Sequence, residues 1–104
     1  MITFGVGGSG AGPNGFSVVS NSSVVAVTPT SSTLIASNGW RKYLHIVNNS
    51  TFDIWIQYGS AAQVGRGIRI TPNTLLVMSG SELFKGQINA ISAVATSIDI
   101  LEGE

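Results

Sequence analysis

RKYLHIVNNSTFDIWIQYG, residues 41–59, makes the plainest structural statement in the chain. Side chains on a strand point to alternate faces, so residues two apart share a face. From Tyr43 to Val47, Leu44 and Ile46 fall on one face, with Tyr43, His45 and Val47 on the other. After the polar turn Asn48-Asn49-Ser50, Phe52, Ile54, Ile56 and Tyr58 share a face opposite Asp53, Trp55 and Gln57. The pattern predicts two strands joined as a hairpin. Leu44, Ile46, Phe52, Ile54 and Ile56 are its expected core side, and Asp53 and Trp55 its expected surface.

The same grammar extends in both directions. Phe16-Ser17-Val18-Val19 and Val24-Val25-Ala26-Val27 are β-branched runs separated by a polar turn at residues 20–23. Pro29 ends the second, and Thr33-Leu34-Ile35-Ala36 is a short third. Downstream, the turn Gly65-Arg66-Gly67 leads into Ile68 and Ile70, alternating with Arg69. Thr71-Pro72-Asn73 is a turn before Leu75-Leu76-Val77-Met78. Residues 86–92 and 94–101 complete the set, and only residues 81–85 offer a single helical turn. No period of 20 to 50 residues repeats, which excludes a solenoid. Eight or nine short strands with frequent turn signals predict an all-β fold, an antiparallel β-sandwich of jelly-roll or Ig-like barrel type.

Residues 1–15, MITFGVGGSGAGPNG, read as a flexible Gly-rich N-terminal arm, and residues 16–104 as a single sandwich domain. Glycine loses the most backbone entropy on ordering, and this stretch has little to bury in return. Ile2, Phe4 and Val6 nevertheless alternate, so the tip can add as a strand to a neighbour's sheet edge.

The chain has 104 residues with five basic and five acidic side chains, for a net charge of zero. A polyanion partner requires a surplus of Lys and Arg, so no nucleic acid is expected. No charged side chain precedes Arg41. That uncharged stretch suits either a segment lying against another chain or a neutral, solvated sandwich edge. There is no cysteine, hence no disulfide framework or thiolate chemistry. No apolar run reaches the ~20 residues of a membrane span, so no membrane partner is expected. Met1-Ile2-Thr3-Phe4 has no basic flank and runs into glycine, so no signal peptide is expected. The sequons at Asn21, Asn48 and Asn49 follow from a Ser/Thr/Asn-rich composition.

Catalytic patterns are sparse. Gly5-Val6-Gly7-Gly8-Ser9-Gly10 matches G-x-G-x-x-G in letters. The motif binds dinucleotides only between a strand and a helix, and Pro13-Asn14-Gly15 follows here instead. His45 is the only histidine, too few for a metal site in a chain without cysteine. It reads as a half-buried or surface structural residue. No serine sits in a G-x-S-x-G elbow. Asp53, Asp99, Glu102 and Glu104 read as solvated or ion-paired carboxylates, with Glu102 and Glu104 on a terminal tail. Arg66 and Arg69 flank a turn and can pair with them or with an acidic partner. No catalytic residue, metal ligand or cofactor site is expected.

Aromatic side chains and Arg are enriched where proteins meet partners. The partner-interface candidates are Ile2, Phe4, Trp40, Trp55, Arg66 and Arg69. Trp55 is the better aromatic case, because its strand neighbours Ile54 and Ile56 face the core. Tyr58 has the parity of the core face, and Trp40 can equally cap the sandwich.

The order of features from Arg41 onward resembles a family of small phage virion proteins. The shared pattern is Arg-x-x-Leu-x-Ile-x-Asn-x-Ser, then Ile54-x-Ile56-x-x-Gly59, then Gly65 to Ile68, then a Pro-Asn turn before an apolar strand. Gly86-x-Ile88-x-Ala90-Ile91-Ser92-Ala93 and a closing strand ending in Glu102 complete it. It covers residues 41–102, and residues 1–40 fall outside it. Such proteins resemble capsid decoration (cement) proteins, head fibres and other virion appendages. The resemblance implies a β-sandwich that assembles as a homotrimer on the capsid exterior, bridging subunits of the major capsid protein, after synthesis in the host cytoplasm. It transfers no catalytic residue.

The leading expectation is therefore a phage capsid decoration protein that stabilises the assembled head. The alternative is a tail or fibre adhesin reading host-surface glycan through Trp55, Trp40 and the Asn-rich turns. A small hydrolase is the remaining class, and one His without clustered acids gives it little support.

Overall fold

The computed structural model describes residues 19–104. The arm at residues 1–15, the strand begun at Phe16, and the candidates Ile2 and Phe4 lie outside the described residues. Among the described residues there are eight strands: β1 (Val19–Val27), β2 (Ser32–Ile35), β3 (Tyr43–Asn48), β4 (Ile54–Tyr58), β5 (Ile68–Ile70), β6 (Thr74–Ser79), β7 (Ile88–Ile91) and β8 (Thr96–Gly103). A 3-10 turn at Gly80–Glu82, which overlaps the expected single helical turn at residues 81–85, is the only helical element among the described residues.

The strands form two four-stranded antiparallel sheets, ordered β1-β8-β3-β6 and β2-β7-β4-β5. First pairs with last, second with seventh, third with sixth and fourth with fifth. That is one long antiparallel ribbon rolled up, the jelly-roll form of the expected sandwich.

Alternation accounts for the core. Leu44 and Ile46 of β3 and Ile98 and Ile100 of β8 point inward from one sheet. Ile54 and Ile56 of β4, Ile70 of β5 and Ile88 and Ala90 of β7 meet them from the other. The core is aliphatic, and each buried Leu or Ile contributes about 1.5–3 kcal/mol relative to exposure. Tyr58 packs against this cluster, stacks on Phe84 with ring centroids 4.6 Å apart, and donates its hydroxyl across the sandwich to Met78 Sδ at 3.1 Å.

Three expectations are corrected. The hairpin of residues 41–59 does not form: β3 and β4 lie in opposite sheets. The connection is a corner built on Asn48, which is fully buried. Its amide donates to the carbonyls of Phe52 and Ile70, each at 2.8 Å, and its Oδ1 accepts from the Ser50 N–H at 3.0 Å. This satisfied polar knot turns the chain from one sheet to the other. The corner also breaks the alternation, so Phe52 is 41% exposed instead of buried. Finally, residues 20–23 are not a turn but part of β1, paired to β8 with a register shift between Val19 and Asn21. Small polar residues are tolerated there because, among the described residues, β1 is an edge strand with one partner.

Candidate interaction site

The two sheets present different outer faces. On β1-β8-β3-β6, the register places Val24, Asp99, Val47 and Leu75 in one row across all four strands. Ser22, Leu101, His45 and Val77 form the next. Val24 is 69% exposed, Leu75 53% and Val77 48%. The only charged side chain in these rows is Asp99, and Asn49 Nδ2 donates to it at 2.7 Å. His45 is half-buried, its ring tilted against Tyr43 at 5.3 Å. Tyr43 lies over Gly103, where a Cβ would run into the ring. Val24, Leu75 and Val77 thus stand exposed on this face, uncovered among the described residues.

The outer face of β2-β7-β4-β5 is polar and partly roofed. Thr33, Gln87 and Asn89 form a chain: Gln87 Nε2 donates to Thr33 Oγ1 at 3.0 Å and to Asn89 Oδ1 at 2.8 Å. Asn89 Nδ2 donates to the Ser60 carbonyl at 2.7 Å. The Ala62 N–H reaches Ser31 Oγ at 2.8 Å, and the Gly59 N–H reaches the Gln87 carbonyl at 2.8 Å. These bonds carry the connection at residues 59–67 from β4 over β7 towards β2, burying Ala62 and Asn89. The connection returns through a turn closed by the Arg66 N–H on the Gln63 carbonyl at 3.1 Å, with Gly65 at φ 84°. A type II turn needs positive φ at that position, which glycine adopts without strain.

The described interface candidates separate. Trp40 is 72% exposed, on a turn at the end of the sandwich. Trp55, favoured by sequence, is only half-buried on the polar outer face, paired across the strands with Arg69 and Ile91. Arg69 is exposed and lies 4.0 Å from Asp53, the ion pairing that sequence allowed for. Arg66 is exposed and approaches Gln63 Oε1 at 3.4 Å, lining an open polar cavity of about 540 Å³ with Gln57 and Ser60. Trp40, Trp55 and the two arginines are not brought into a single site.

Sequence reasoning missed the cluster around Arg41, which is fully buried. Its Nε donates to Glu102 Oε2 at 2.6 Å. One terminal nitrogen donates to the Phe84 carbonyl at 2.6 Å and the Gly86 carbonyl at 3.2 Å; the other donates to the Ala36 carbonyl at 2.7 Å. Asn38 Nδ2 donates to Glu102 Oε2 at 3.2 Å and to Glu104 Oε2 at 2.9 Å. Glu102 is thus no tail residue but a strand residue of β8, 5% exposed. A clue was present: Glu102 keeps the inward parity of Ile98 and Ile100, so its carboxylate needs a buried cation. Arg41 supplies it and ties three segments together at the end of the sandwich.

Chemically, the groups around Arg41 brace the fold through internal hydrogen bonds and one buried ion pair. Among the described residues no group of three His, Cys, Asp or Glu side chains is placed to hold a metal ion. No described helix is long and apolar enough to cross a membrane. No family model matches the chain, and neither a curated protein nor a solved structure does.

Proposed function

We propose that this chain is a structural virion protein, a phage capsid decoration protein that binds the outside of the assembled head. One observation carries the reading: the outer face of the β1-β8-β3-β6 sheet exposes Val24, Leu75 and Val77, each about half exposed or more, and is uncovered among the described residues. The jelly roll occurs in viral capsid and lectin domains alike, so the fold supports a virion role without selecting it. The residue pattern from Arg41 to Glu102 supplies the virion resemblance.

The occupant of that face is another copy of the same chain. Its rows carry one charge, already bonded to Asn49, and the whole chain has zero net charge. Identical copies therefore meet there without like-charge repulsion, and each covers apolar surface that water now covers. The resemblance implies a trimer, whose joined subunits would multiply weak contacts to the major capsid protein through effective concentration. Binding only the assembled lattice stabilises that lattice by mass action.

Mass spectrometry of purified virions tests the assignment. A decoration protein is present in copy numbers comparable to the major capsid protein, and label on it marks the head. A few copies per particle, or label confined to the tail, would overturn it.

A further inference from the structure

We infer that the cavity beside Trp40 binds an acidic sugar, with the ring lying on the indole and its carboxylate meeting Lys42 and Lys85. This goes beyond the decoration reading and stands or falls separately from it.

The starting point is the contrast between an exposed ring and the rigid backbone beneath it. Trp40 is 72% exposed, yet its N–H donates to Asn38 Oδ1 at 3.0 Å and the Arg41 N–H closes the turn on the Asn38 carbonyl at 3.1 Å. Asn38 is held in turn by Glu102 and Glu104, and Arg41 by four acceptors. The buried polar network positions the turn before any ligand arrives, which lowers the ordering cost of binding.

Beside the indole is an open cavity of about 460 Å³, bounded by Gly39, Lys42, Gly80, Leu83 and Lys85. That size falls in the ~300–1,000 Å³ range of small-molecule sites. The space around Gly39 and Gly80 is free: a Cβ at either would meet nothing within 4 Å. Lys42 and Lys85 are exposed, and neither belongs to an ion pair among the described residues. No carboxylate lines the cavity. Arg41 also borders it, but its guanidinium is already directed at acceptors inside the protein.

A lining with an exposed tryptophan, two exposed lysines and no acid fits a small anion with a flat apolar side. A pyranose ring bearing a carboxylate has both: its C–H face packs on the indole and its carboxylate takes charge-assisted bonds from lysine. A nucleic-acid strand is disfavoured because two lysines neutralise too few phosphates and the chain has zero net charge.

The test is an NMR titration of the full chain with glucuronic acid, N-acetylneuraminic acid and, as the neutral control, glucose. The Trp40 indole N–H and the Lys42 and Gly80 amides should shift saturably with one or both acids, at an affinity around millimolar. Glucose should bind at least about ten-fold more weakly. The double variant Lys42→Gln/Lys85→Gln changes only exposed side chains. It should keep the spectrum and lose about ten-fold in affinity for the acid. Absence of shifts with both acids at ~50 mM, well above a millimolar Kd, would overturn the inference. So would equal binding of glucose, or undiminished binding by the double variant.

Discussion

Among the described residues the β1-β8-β3-β6 sheet leaves its outer face bare, whereas the β2-β7-β4-β5 sheet carries a connection, residues 59–67, across its outer face. Both faces descend from strands with the same alternation and the same aliphatic core. They differ in what fills the outward positions. Val24, Val47, Leu75 and Val77 offer a loop no hydrogen-bonding partner, and Asp99 among them already accepts from Asn49; Thr33, Gln87 and Asn89 offer several. A loop backbone needs such partners, because its own N–H and C=O groups must be satisfied. The polar face therefore acquires an internal cover from residues 59–67, and the apolar face has none among the described residues.

The largest expected effect comes from the residue that joins the two halves. Arg41→Ala removes the cation beside buried Glu102 and releases the carbonyls of Ala36, Phe84 and Gly86. Unfolding by denaturant should show a loss of about 3–5 kcal/mol. Both faces should become labile together in hydrogen exchange. If only one sheet loosened, Arg41 would not be the tie between them.

A smaller effect separates the faces. Gly67 has φ 85°, and a Cβ there would run into the Ile56 carbonyl oxygen. Gly67→Ala should cost about 2–3 kcal/mol through strain and overpacking. Exchange of the Ala62 amide should rise while that of β3 and β8 changes little. Equal loosening of both sheets would remove the distinction between a covered and an uncovered face.

The smallest effect probes the space between the sheets. Burial, and then the neighbouring Glu82 carboxylate, push the Tyr58 phenol above its ordinary value of 10.0. The folded state thus favours the neutral phenol. Its contribution to stability is complete below pH 10.0 and is lost as pH rises through the higher folded value. Tyr58→Phe should flatten that alkaline fall, measured by thermal melts, while changing stability at pH 7 by about 1 kcal/mol or less. An unchanged alkaline fall would place its origin elsewhere.

Much of the fold was legible because alternation reports directly which way a side chain points. Leu44, Ile46, Ile54 and Ile56 were assigned inward and are inward. Alternation does not report which strand lies alongside. A short polar turn between two strands suits a hairpin and a sheet-to-sheet corner equally. What decides here is the bonding of Asn48 to Phe52, Ser50 and Ile70, the last of which lies 22 residues away and outside any local pattern. Phe52 was misplaced for the same reason. Residues 20–23 read as a turn because small polar residues favour turns; their pairing with the opposite end of the chain overrode that preference. At the candidate site, both tryptophans were visible as letters, but their exposures were not. Trp55 is flanked across the sheet by Arg69 and Ile91, while Trp40 stands on a turn fixed by Asn38 and Arg41. In sequence Glu102 reads as a solvated or ion-paired carboxylate on a terminal tail, and its pairing with Arg41 is not legible because the two lie 61 residues apart.

Sedimentation velocity on the full chain and on Leu75→Lys/Val77→Lys tests the central claim most directly, that copies of the chain meet through the bare face. Both residues are about half exposed, so folding should be affected by no more than about 0.5 kcal/mol each. The unaltered protein should sediment as an oligomer, and the double-lysine variant as a folded monomer at the same concentration. A monomeric unaltered protein at high concentration, or an oligomer that survives both lysines, would contradict the account.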